Sequence, residues 1–224
     1  MTAEFWQKEV YSNYRHVNRY PFDRVVSVVM SSLRQLPAPL SALDLGCGTG
    51  NHLKFLAENG FETVGVEQSS IAASISTEFL SEHNLTAKII QGDITNINSL
   101  SFDRQFSLIL DRGSLTHNPL DQFIDSLDQI SRHLMPGGIF LSYFFSRNHS
   151  SVHHATELSP SFFSNYVIGD FRDCPAPALF LSNREAIDIF SRFFSVNSLS
   201  EITVEDCING NGRSSMYECI CSAL

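Results

Sequence analysis

Leu43-Asp44-Leu45-Gly46-Cys47-Gly48-Thr49-Gly50 leads out of a short apolar run, Ala42–Leu45, and into an amphipathic stretch, Asn51–Glu58. A glycine-rich turn between a strand and a helix carries meaning that the same residues in an ordinary loop do not. Each glycine removes a Cβ, so the backbone can turn tightly and a ligand can pack directly on it. The spacing here is G-x-G-x-G. A turn that seats a pyrophosphate on a helix N-terminus usually reads G-x-G-x-x-G. Asp44, two residues before the first glycine, would repel a pyrophosphate but attract a cationic amino group.

Outward from this turn, apolar runs alternate with helical patterns. Glu62–Val66 reads as a strand, Ser69–Glu82 as a helix, Ala87–Ile90 as a strand closing on Gly92-Asp93, and Phe106–Leu110 as a strand closing on Asp111. Pro119–Leu134 is a helix, with Leu120, Phe123, Ile124, Leu127, Ile130 and Leu134 on one face. Pro136-Gly137-Gly138 stops it, and Ile139–Phe145 is a fifth strand. Upstream, helices are expected over Phe5–Tyr14 and Phe22–Leu36, the second with Asp23 in its first turn. Downstream, Ser182-x-x-Glu185 has the form of a capping box for a helix through Phe194. Val196–Val204 and Met216–Cys221 follow as strands joined by the turn-rich residues 209–212, and so pair antiparallel. The alternation predicts an α/β fold, a parallel sheet with helices on both faces. Residues 146–182, rich in Ser, His, Asn and Pro, break the rhythm and are expected to form a lid or substrate-binding insertion.

Three strand ends lie in a row. The first holds the glycines. The second ends at Glu67, where a carboxylate can accept both hydroxyls of a ribose. The third ends at Gly92-Asp93-Ile94, where Asp93 can accept from an adenine amino group. Ligands of open α/β sheets bind at these carboxyl ends. On Asp44–Gly50, Glu67 and Gly92-Asp93-Ile94, the chain resembles the class I S-adenosylmethionine-dependent methyltransferases. The resemblance covers about residues 40–145 and extends to the late helix and strand pair. It implies a Rossmann-like, seven-stranded, mostly parallel sheet with one antiparallel strand near the edge. It also implies S-adenosylmethionine as cofactor and S-adenosylhomocysteine as product. Carried over, Gly46, Gly48 and Gly50 with the backbone of Cys47 lie against the methionine part and ribose. Asp44 attracts the amino group, Glu67 with its neighbour Gln68 holds the ribose, and Asp93 with Ile94 contacts the adenine. Asp111 is a further contact. Arg19-Tyr20-Pro21-Phe22 looks like the N-terminal cover of some small-molecule methyltransferases, where Arg19 would meet the cofactor carboxylate.

His117, just past the fourth strand, is the candidate general base, with Asp111 and Arg112 beside it. Amino-methylating nucleic-acid enzymes resemble one another in an Asp/Asn-Pro-Pro-Tyr/Phe motif here, but this chain reads Asp111-Arg112-Gly113-Ser114. Cytosine-C5 enzymes need a Cys preceded by Pro, whereas Cys174 is followed by Pro175. His149, His153 and His154 have two members at i, i+4 spacing. No Cys or carboxylate completes a metal set, so no metal is expected.

The 224 residues fit one domain, with 1–36 as an N-terminal helical cover. Fifteen Lys and Arg against 24 Asp and Glu give −9, and no basic run interrupts that sign, so no nucleic-acid partner is expected. No run approaches a membrane span, and the N-terminus lacks the pattern of a signal peptide. Five Cys without C-x-x-C read as reduced thiols of a cytoplasmic protein. The expected partner is a small-molecule acceptor, and the expected state is monomer or homodimer. Two rival functions remain: a non-catalytic S-adenosylmethionine binder, and a nicotinamide-dependent oxidoreductase, against which Asp44 and the glycine spacing speak.

Overall fold

The computed structural model describes residues 3–13, 17–172, 176–208 and 212–224. Tyr14, Cys174 with Pro175, and most of the 209–212 connector lie outside them. Short strands and helices alternate from Ser41 onward: β1 (Ser41–Leu45), α3 (Asn51–Glu58), β2 (Glu62–Glu67), α4 (Ser70–Glu82), β3 (Lys88–Gln91), β4 (Phe106–Arg112), α5 (Leu120–His133) and β5 (Leu134–Ser146). Before them come α1 (Ala3–Phe5) and α2 (Asp23–Ser32). After them come β6 (Thr156–Ser159), β7 (Phe162–Ser164), β8 (Ala178–Leu181), α6 (Asn183–Phe190), β9 (Phe194–Glu205) and β10 (Arg213–Ala223).

The sheet runs β3-β2-β1-β4-β5 in parallel. β10 then pairs antiparallel with β5, and β9 antiparallel with β10, so β9 points the same way as β5. These seven strands, with β10 as the reversed member next to the edge, are the sheet the sequence predicts. Alternation along β4 shows how it is covered. Ile109 joins Phe123, Leu127, Ile130 and Phe190 of α5 and α6 on one face. Leu108 and Leu110 join Val25, Val29, Phe55 and Leu56 of α2 and α3 on the other.

Residues 146–182, expected as an insertion, carry strands of their own, and three boundaries or helix types differ from expectation. β6, β7 and β8 form an antiparallel ladder joined to the tip of β5 through Phe145↔Phe180 and Ser146↔Leu181. The Phe5–Tyr14 helix is a composite, with a π-helical turn over Trp6–Val10 and a 3₁₀ turn over Tyr11–Asn13. The wider pitch brings Trp6, Val10 and Tyr11 to one side. The strand after α5 starts at Leu134, because Pro136-Gly137-Gly138 is absorbed as an irregularity opposite Phe106 and Leu108. The helix after Ser182 ends at Phe190, before Phe194. Its capping box is formed: the Ser182 hydroxyl accepts from the Glu185 amide, and the Glu185 carboxylate accepts from the Ser182 amide. Among the described residues, no helix is long and apolar enough to cross a membrane.

Candidate functional site

The Gly46 and Cys47 amides both donate to the Val66 carbonyl, at 2.8 and 3.1 Å, so the turn after β1 is tied to β2. Gly46 has φ +70°, and a Cβ there would stand 2.2 Å from Ser114 Oγ. Gly50, at φ +85°, caps α3, and a Cβ would stand 2.3 Å from Ser76 Oγ. Only glycine fits at either position. Gly46 thereby keeps the turn against the loop after β4, and Gly50 keeps α3 against α4.

Above the turn opens a cavity of about 480 Å³, within the range of small-molecule sites. Among the predicted residues, Gly46, Cys47, Gly48, Glu67, Gln68, Asp93, Ile94 and His117 line it. Glu67 is buried, and each carboxylate oxygen accepts one backbone amide: Gly48 at 2.9 Å and Ser69 at 2.7 Å. Burial pushes its pKa up, and these amides pull it back. Asp93 caps the 3₁₀ turn Ile94–Ser99, and Oδ1 accepts from the Thr95 amide and hydroxyl, each at 2.8 Å. His117 Nδ1 lies 3.0 Å from the Pro177 carbonyl. A carbonyl only accepts, so Nδ1 carries the proton and Nε2 the lone pair of the neutral ring.

Four predicted residues stand outside the lining. Gly50 acts behind the turn, as described. Arg19 is exposed; its guanidinium lies 4.8 Å from the Phe79 ring centre and 4.0 Å from Glu82. Asp111 is buried on the α5 face. It accepts from the Ser114 and Leu115 amides at 2.8 and 3.1 Å and from the Ser142 hydroxyl at 3.0 Å. Burial lifts its pKa to about 6. Asp44 lies beneath the turn, and its Oδ2 is buried without a hydrogen-bond partner among the described residues. Burial, and then the charges of Asp111 and Glu67, lift its pKa to about 8. Its nearest basic group is His52 Nδ1 at 4.0 Å. Burial and Arg112 hold the His52 pKa at about 3. Both groups are therefore neutral at pH 7 and form no ion pair.

Because Asp44 keeps its proton longer when folded, the folded chain holds one proton more than the unfolded chain between about pH 4 and about pH 8. Stability falls as pH rises through that window. Asp111 adds a slope of the same sign up to about pH 6. Asp44→Asn is expected to remove the Asp44 part, about 2–4 kcal/mol between pH 5 and 8. Urea unfolding of both proteins at the two pH values measures it, and parallel curves would contradict the raised pKa.

Sequence reasoning did not single out His52, Asn51, Phe145, Asp170 or Phe171, which also line the cavity. Asp170 and Phe171 come from the 146–182 segment, as expected of an insertion that borders a substrate. His149 is buried, its Nδ1 accepting from the Ser151 amide at 3.1 Å, whereas His153 and His154 are exposed. Among the described residues, no cluster of three or more His, Cys, Asp or Glu is placed to hold a metal.

Residues 42–138 match the family model described as a methyltransferase domain. Over 59 residues the chain is 37% identical to ribosomal RNA small subunit methyltransferase C of Alcanivorax borkumensis, which covers 26% of this chain and 18% of that protein. It therefore spans under a fifth of this curated relative. Among solved structures, the PH0226 protein of Pyrococcus horikoshii is 18% identical, with 99% of each chain covered and a TM-score of 0.70. The magnesium protoporphyrin IX methyltransferase of Synechocystis, solved with bound SAH, is 12% identical, covering 98% and 97%, with a TM-score of 0.68. At such identities, the structural likenesses speak for the fold.

Proposed function

We propose that this chain is a class I S-adenosylmethionine-dependent methyltransferase, in line with its matched methyltransferase domain, and that it transfers a methyl group from S-adenosylmethionine to a small-molecule acceptor, with His117 as general base. The observation that carries the reading is the run of three strand tips on one cavity: the bare glycine turn of β1, Glu67 of β2 and Asp93 of β3. The residues fit the cofactor. Gly48 lacks a Cβ on the side of the turn that faces the Tyr11 hydroxyl across the cavity. The Asp44 oxygen beneath it lacks a partner, as an acid awaiting a cationic group would. Glu67 presents its carboxylate to the cavity, where a ribose hydroxyl can donate to it, and Asp93 Oδ2 is available to an adenine amine.

When bound, S-adenosylmethionine supplies a methyl group made electrophilic by its sulfonium. The chain has to align the acceptor in line with that methyl, keep water away and receive one proton. Alignment is worth up to about 7–11 kcal/mol. Trp6, Val10 and Tyr11 roof the cavity and shield it from water. His117 receives the acceptor's proton at Nε2, because the Pro177 carbonyl holds its other proton on Nδ1.

A small acceptor suits the −9 charge, which opposes a phosphate backbone. The ribosomal RNA enzyme matches over too short a stretch to carry an RNA surface. Calorimetry is expected to show one S-adenosylhomocysteine bound per chain. Incubation with methyl-labelled S-adenosylmethionine is expected to label hydroxy, amino or thiol compounds and leave RNA unlabelled. Labelled RNA, or no binding of the nucleoside, would overturn the reading.

A further inference from the structure

Arg112 stands at the tip of β4, and it alone brings a Lys or Arg side chain to the cavity among the described residues. It forms no ion pair among those residues, and its Nε is buried without a hydrogen-bond partner. Arg112 is half-buried, and a guanidinium partly withdrawn from water without a close counter-charge is unfavourable, so such a group points to an anion supplied from elsewhere. Of the acids whose charge reaches it, Asp23 at the start of α2 makes no ion pair with it, and the other two are engaged. Glu218 accepts from Arg24 Nε at 3.1 Å and from the Tyr143 hydroxyl at 2.8 Å, and Asp111 accepts three hydrogen bonds within its own loop.

The guanidinium is also held in orientation. Its carbon lies 4.3 Å from the Phe22 ring centre and 4.7 Å from that of Tyr143. Stacking on aromatic faces fixes the plane and leaves the N–H edge as the side open to a ligand, the geometry that takes a carboxylate through two parallel hydrogen bonds. Part of the cavity wall is aromatic. Trp6 lies 5.0 Å from His117, His117 6.1 Å from Phe145, and Phe145 4.8 Å from Phe171, centre to centre. Flat apolar bodies pack on such walls.

Resting on the methyl-transfer reading, we propose that the acceptor is a flat aromatic molecule bearing a carboxylate, and that Arg112 binds the carboxylate. Arg112 ends β4, and His117, the base that must reach the acceptor, lies in the loop that follows it. The same chemistry could come from the amino-acid carboxylate of the donor, and the experiment separates the two.

The full chain is saturated with S-adenosylhomocysteine and titrated calorimetrically with benzoate and salicylate, each against its amide, benzamide and salicylamide. The acids are expected to bind at least about tenfold tighter than their amides, the size of one charge-assisted hydrogen bond or more. Arg112→Gln should erase that preference while leaving affinity for the amides and for S-adenosylhomocysteine unchanged, and Arg112→Lys should keep part of it. Acids binding no better than amides in the wild-type chain, including no binding of either, overturn the assignment without any variant having to fold. So does an Arg112→Gln chain that loses affinity for S-adenosylhomocysteine but not for its decarboxylated analogue, since the donor's carboxylate would then be the partner. A wild-type chain that takes up no S-adenosylhomocysteine removes the methyl-transfer reading, and the inference with it. A loaded chain without acid preference removes only the inference.

Discussion

Glu67→Ala is expected to weaken S-adenosylhomocysteine binding by about 10²–10⁴-fold. Two hydrogen bonds from a carboxylate to ribose hydroxyls disappear, each worth about 1.5–3 kcal/mol, and every 1.4 kcal/mol is a factor of ten. A second loss adds to the first. Glu67 also accepts the Gly48 and Ser69 amides, so its removal frees the glycine turn and the start of α4 from their common anchor. Glu67→Gln separates the effects. The amide keeps the shape but replaces one acceptor with a donor, so it must face either Gly48 N–H or Ser69 N–H donor to donor. It is expected to fall between wild type and alanine in affinity while unfolding close to the wild-type temperature. Calorimetry with S-adenosylhomocysteine and its 2′,3′-dideoxy analogue, which lacks the ribose hydroxyls, reads the difference directly. If both ligands lost affinity equally in Glu67→Ala, Glu67 would be acting on the turn and not on the sugar.

What the sequence made legible follows from how local each signal is. The glycine turn, Glu67 and Asp93 were readable because a strand end is a local event and parallel topology then brings neighbouring tips together. α3 was found to the residue because Gly50 and Gly60 bracket its periodic stretch. Of Asp111 and Arg112, both expected beside His117, Arg112 reaches the cavity and Asp111 does not, for one reason. The fourth strand was expected to close at Leu110, but it continues to Arg112. Alternation then turns Asp111 toward α5 and Arg112 toward α2 and the cavity. Arg112 owes its setting to Phe22 and Tyr143, distant in sequence, and His52 likewise meets Asp44 and Phe22 only in the fold. No local pattern carries such partners. β6, β7 and β8 escaped because strands of three or four residues are too short to show a period. Arg19 was drawn to the cofactor by its neighbourhood, but the backbone places it over Phe79, on the outside of α4.

His117→Ala is expected to lower kcat by about 10²–10⁴-fold, or roughly 3–5 kcal/mol of barrier, while the Kd of S-adenosylhomocysteine stays within about threefold of wild type. The asymmetry follows from where the ring stands. Its Nδ1–H is committed to the Pro177 carbonyl at 3.0 Å, and its faces are bounded by Trp6 and Phe145. The tautomer of the imidazole is therefore set by a carbonyl that lies outside the glycine turn. The Pro177 carbonyl belongs to the segment between β7 and β8, so the insertion that borders the acceptor also selects the tautomer of the base. A purely structural His117 would lose activity by the same factor at every pH. A base would not: in His117→Ala the acceptor must shed its proton to solvent, so the variant's rate should climb with pH and close part of the gap toward alkaline conditions. A deficit that stays constant from pH 6 to 10 would assign His117 to packing. An unchanged kcat would mean that the acceptor arrives already deprotonated, and that the work of the site is alignment alone.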